Sequence, residues 1–217
     1  MIREFAHLDR VDIGAMDALI DSMMELLEAL DEGLVPNDTD YTLEDLGVYV
    51  ESLVRGQRGS LGRTVPGSWA VAPDDAGMDS DARVKYIFRP TYIAVATLSR
   101  VLCEFPLTAM RVPGYLDSLL NGMTFCSHRG LRGHGYEADV GAIDALRTLS
   151  LGKVPWLLAR NPEACPPLKS AIDHVAHDMA HRLAAGTAVG MWGEDYSDGF
   201  RSVLETLRSK NGLEFKA

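Results

Sequence analysis

Six side chains able to hold or move charge crowd into ten consecutive positions: His128, Arg129, Arg132, His134, Tyr136 and Glu137, interleaved with Gly130, Gly133 and Gly135. A guanidinium presents a planar fork of donors that matches a carboxylate or phosphate, so Arg129 and Arg132 are candidate ligand-binding residues. Histidine changes charge near neutral pH. That makes His128 and His134 candidate catalytic acid/base groups, with Glu137 able to orient one of them. Tyr136 can donate from its hydroxyl. Glycine permits close backbone approach and positive φ, so Met123–Glu137 reads as a shaped loop behind an apolar lead-in of Met123 and Phe125. The competing reading is a turn whose polar groups satisfy neighbouring helix ends.

Other constellations carry less chemistry. His174, His177 and His181 fall on one polar ridge of a helix, opposite its apolar stripe. His177 and His181 have the spacing that lets two imidazoles meet one zinc ion, but no Glu completes an HExxH pattern, so a solvated ridge without metal is expected. Asp74, Asp75 and Asp79 share a stretch with Pro73 and Gly77 and read as an acidic loop rather than a magnesium site. Trp192–Tyr196 reads as a staple for the last helix. Cys126 lies near His128 in sequence, yet a buried thiol is the commoner state. No metal and no cofactor are expected.

Helical elements must position these groups. Ile13, Met16, Ile20, Met23, Leu27 and Leu30 make one apolar stripe after Asp12, ended by Gly33 and Pro36. Thr42 opens a second helix whose buried face is Leu43, Leu46, Val50, Leu53 and Val54. Arg55–Ser80 is a long irregular connection. Pro90 starts a helix to about Glu104, apolar or small nearly all round and hence enclosed. Pro106 and Pro113 punctuate a linker, and a short helix then carries Tyr115, Leu116, Leu119 and Leu120. Ala142–Leu149, Val154–Ala159, Leu168–Ala185 and a last stripe of Phe200, Val203, Leu204 and Leu207 complete the set. Val84–Phe88 is the single strand candidate. The expected fold is all-α, one domain over 1–217, with roughly seven to nine helices.

A net charge of −10, from 21 Lys and Arg against 31 Asp and Glu, repels phosphate backbones and disfavours nucleic acid as a partner. No run approaches the ~20 apolar residues of a membrane span, and the N-terminus lacks an apolar leader. Three scattered cysteines without a CxxC give no disulfide framework. A cytoplasmic protein is expected.

Gly67-Ser68-Trp69 leading to the Thr91 helix, and Gly133-His134-Gly135-Tyr136 leading to the Val140 helix, share a pattern of Gly/aromatic turn and small-residue helix. In this the chain resembles the α/α toroid of terpenoid cyclases and protein prenyltransferases. The resemblance implies a partial or complete ring of helical hairpins, with a pocket at one end of the inner helices, to which Trp69 would contribute as a ligand-binding residue. The activities of those enzymes are not implied, since no Asp-x-Asp-Asp motif and no set of prenyltransferase zinc ligands is present. The expected function is binding of a small anionic ligand or peptide in a pocket lined by Met123–Glu137. Two alternatives stand beside it: an enzyme using His128 or His134 there, and an assembly protein forming a homo-oligomer.

Overall fold

The structure, a computed structural model, describes residues 13–33, 43–57, 66–69, 84–129, 131 and 138–214. Asp12, Pro36, Thr42 and the Asp74–Asp79 cluster lie outside the described residues. The described residues are all-helical: α1 (Ile13–Asp31), α2 (Leu43–Gly56), α3 (Arg89–Glu104), α4 (Pro106–Arg111), α5 (Tyr115–Arg129), α6 (Ala138–Leu151), α7 (Val154–Arg160), α8 (Pro166–Ala184) and α9 (Ser197–Asn211).

α3 runs through the middle. Pro90 to Val101 are all buried, and α3 packs against α1, α4, α5, α6 and α7. Its sequence explains this, since small and β-branched residues on every side let neighbours approach from every side. α6 lies between α3 and α9, and the α8–α9 hairpin closes over α5 and α6. The α1 stripe docks Ile20, Met23, Leu27 and Leu30 inward, each nearly solvent-free.

The closest approach is at the α6–α7 corner. A side chain at Gly152 would collide with Ala96 of α3, its carbonyl oxygen lying 2.5 Å from the added carbon. The next residue, Lys153, takes the left-handed region (φ 57°) to turn the chain into α7. Gly152→Ala is expected to cost about 1–3 kcal/mol, the usual penalty of overpacking. Chemical denaturation checks it, and an unchanged midpoint would mean α3 and α6 can part freely.

Arg100 is the one charged side chain of α3's buried run. Its Nη1 donates to Asp31 at 3.0 Å and to the Leu151 carbonyl at 2.9 Å, and Nη2 donates to the Leu30 carbonyl at 3.1 Å. Nε lies 2.7 Å from the Glu104 carboxylate, paired by charge rather than by an aligned hydrogen bond. Lys153 reaches Glu104 at 2.7 Å, and Lys210 pairs with Asp31. One guanidinium thus caps the C-terminal ends of both α1 and α6, where carbonyls lack helical partners.

Four expectations are corrected. Val84–Phe88 is a π-helical turn leading into α3, not a strand. Thr91 shows how the turn is used: its hydroxyl donates to the Ile87 carbonyl at 2.7 Å and accepts the Trp69 backbone N–H at 3.0 Å. Pro106 opens the short helix α4 rather than a linker. Leu43 is exposed, and Tyr49 joins Leu46, Val50 and Leu53 in the core instead. Finally, α5 continues through Met123 to Arg129, so the first half of the supposed loop is helix.

Candidate functional site

α5 ends at Arg129 and α6 begins at Ala138. Between them only Leu131 is described, and it is buried. Arg132, His134, Tyr136 and Glu137 lie outside the described residues, as do the side chains of His128 and Arg129.

A cavity of about 320 Å³ opens between the start of α6 and α8. Its walls include Leu131 and Ala138, the described residues on either side of 132–137, together with Asp139 from α6 and His174, Asp178 and Met179 from α8. Both helices are fixed locally. Asp139 lies in the first turn of α6, where a negative charge suits the helix dipole. Arg182 of α8 grips it through two bonds, Nη1 to Oδ1 at 2.8 Å and Nη2 to Oδ2 at 2.9 Å. That hydrogen bonding, ahead of the counteracting cost of burial, holds the Arg182 guanidinium above its ordinary pKa. Asp178 stands 3.8 Å from the same guanidinium. Arg182 also lies over the Phe200 ring of α9, at 4.9 Å, tying a third helix to the wall.

The described wall carries two carboxylates, and Arg182 is committed to one of them. His174 adds an imidazole on the same edge of α8. The two arginines of the expected hollow belong to 128–137 and lie outside the described residues. His174 was assigned only to a solvated ridge. It is exposed, as are His177 and His181, and no group of three metal-ligating side chains occurs among the described residues. Its place on the cavity rim could have been found only by knowing that α8 packs against α5 and faces the start of α6.

Trp69 belongs elsewhere. Its side chain is fully buried, and its indole N–H donates to the Leu53 carbonyl at 2.7 Å. A side chain on Gly122 of α5 would lie 2.6 Å from the indole ring and 2.6 Å from Val95 of α3. The Gly67–Trp69 turn is held from outside by Gln57, whose amide donates to Gly67 O at 3.1 Å and to Ser118 O at 2.8 Å. Trp69 therefore offers no surface to a ligand. Cys126 is also fully buried, and burial pushes its thiol pKa up, which leaves it unsuited to nucleophilic attack.

No family model matches the chain, and no curated protein or solved structure is significantly similar to it. The side chains themselves must carry any functional argument. Among the described residues no helix is long and apolar enough to cross a membrane.

A second hollow lies between α8 and α9. It measures about 830 Å³, and its lining includes Ala180, Leu183 and Leu204 together with Arg201, Glu205 and Arg208.

Proposed function

We propose that the protein is a binding module for a small carboxylate- or phosphate-bearing ligand that also carries a cationic group, such as an amino acid or a peptide terminus. The supporting observation is the 320 Å³ cavity whose walls meet both sides of segment 132–137. That volume is at the small end of ligand pockets and suits a ligand of few atoms. Asp178, more than half exposed and only loosely paired, is the group to receive an ammonium. Arg132, the immediate chain neighbour of cavity-lining Leu131, is the group to receive the anionic end. Arg129 reinforces it, and His174 supplies a further donor or acceptor.

Thermal denaturation against inorganic phosphate, simple dicarboxylates and free amino acids tests the proposal. A ligand at a hundredfold excess over its dissociation constant should add about 2.7 kcal/mol of stability. Arg132→Ala and Asp178→Asn should each remove most of that gain, while Arg201→Ala on the other hollow should leave it. If no compound raises the melting temperature, or if both substitutions leave the rise intact, the cavity is not a ligand site.

A further inference from the structure

Three charged side chains meet where α8 faces the start of α6. Arg182 lies in the last turn of α8, and its Nη atoms hold both oxygens of Asp139, at 2.8 and 2.9 Å. Asp178, one turn earlier on α8, places its carboxylate 3.8 Å from the same guanidinium, too far for a direct hydrogen bond. Asp139 and Asp178 both line the 320 Å³ cavity, so one cation stands beside two of its acids. The two acids are not held alike. Asp139 is 22% exposed and doubly bonded, whereas Asp178 is 57% exposed.

Arg182 is not free to turn from one acid to the other. Its Nη2 also donates to the Val189 carbonyl at 3.3 Å and its Nε to the Thr187 carbonyl at 3.4 Å, and the guanidinium lies over the Phe200 ring. A bidentate pair fixed on several sides keeps its geometry. Arg182 and Asp139 therefore cancel, and Asp178 is left with the one uncompensated negative charge of the three. His174, four residues before Asp178 on the same cavity wall, adds no second one. An ammonium seated on Asp178 meets its counter-charge. A second ammonium in the same cavity would find no open carboxylate and would face the guanidinium, a repulsion that works against such ligands.

We infer that Arg182 sets the charge class of the ligand: by occupying Asp139 it makes the cavity select compounds with one ammonium group over those with two. This rests on the ligand reading proposed above and adds to it which amines are refused. Arg182 is a positioning residue in this scheme, since it acts through Asp139 and not on the ligand. Without it, two open carboxylates would line one cavity, and the preference would pass to diamines.

Norvaline and ornithine share the same straight carbon chain and differ by a terminal ammonium, so titration calorimetry with each reads the preference directly. The wild type should bind norvaline about fivefold more tightly than ornithine, the factor set by one partly exposed ion pair. Arg182→Met should reverse the order by a similar factor, and Arg182→Lys, which keeps the positive charge, should retain the wild-type order. A merely structural role would weaken both amino acids together and leave their ratio alone. Asp139→Asn gives a second reading should Arg182→Met fail to fold. The released guanidinium then turns to Asp178, and norvaline binding should fall about fivefold. Equal or tighter binding of ornithine by the wild type, an unchanged order in Arg182→Met, or undiminished norvaline binding in Asp139→Asn would overturn the inference and leave the ligand reading standing. If neither amino acid binds the wild type or any variant, the ligand reading falls and the inference falls with it.

Discussion

Arg100→Met should lower the free energy of unfolding by about 3–5 kcal/mol, the usual cost of breaking a buried charge network by removing one partner. Methionine keeps the apolar stem and deletes the fork. What remains is unfavourable on three counts: Asp31 loses its buried partner, and the Leu30 and Leu151 carbonyls lose their donor together. Lys210 and Lys153 still neutralise Asp31 and Glu104 from the outer side, which keeps the expected loss from exceeding that range. Arg100→Lys should recover only part, because one ammonium lacks the fork that spans two helix ends. Urea unfolding gives the answer, as a lower midpoint with an unchanged slope. A loss below about 1 kcal/mol would put the network on a par with an exposed ion pair and remove its role as the joint between α1 and α6.

Trp69→Ala should cost a similar amount, about 3–5 kcal/mol, from emptied volume between α3 and α5. The orphaned Leu53 carbonyl adds to it. The close fit against Gly122 makes the interpretation checkable. Gly122→Ala is destabilising in the wild type, where the new methyl would meet the indole and Val95. In the Trp69→Ala background part of that clash is gone, so the second substitution should cost less than it does alone. Strictly additive costs would show that indole and glycine are not in contact.

Much of the scaffold could be read from spacing. The stripes of α6 and α9, and that of α1 from Ile20 to Leu30 (the side chains of Ile13 and Met16 lie outside the described residues), predicted their buried faces because one flank of each helix is apolar and the other is not. α3 was legible for the opposite reason, having almost no polar flank at all. Arg100 was the exception inside that run and passed without comment, since sequence alone does not reveal that two helix ends meet beside it. Short apolar runs fared worst. VKYIF at 84–88 fits a strand as well as a helix, and it forms a π-helical turn whose Ile87 carbonyl accepts the Thr91 hydroxyl. MTFCSHR at 123–129 was read as loop because glycines follow it, although nothing within it breaks a helix.

The candidate site was half legible. The polar groups of 128–137 were visible in the sequence but lie outside the described residues, and the described wall, Asp139, His174 and Asp178, depends on how α6 and α8 meet. Trp69 was misjudged because a Gly-Ser-Trp turn looks the same whether its ring points into a ligand or into a core. Only the Leu53 carbonyl and the flat surface at Gly122 decide it.

α3 stands in the middle of the chain as well as in the middle of the bundle. During synthesis α1 emerges with its greasy flank uncovered and must wait for a partner translated later, while the guanidinium on α3 waits in turn for Leu151. The early helices therefore borrow their stability from late ones. A ribosome that stalls before α6 would release a fragment in which α3 has α1, α4 and α5 against it but lacks α6 and α7.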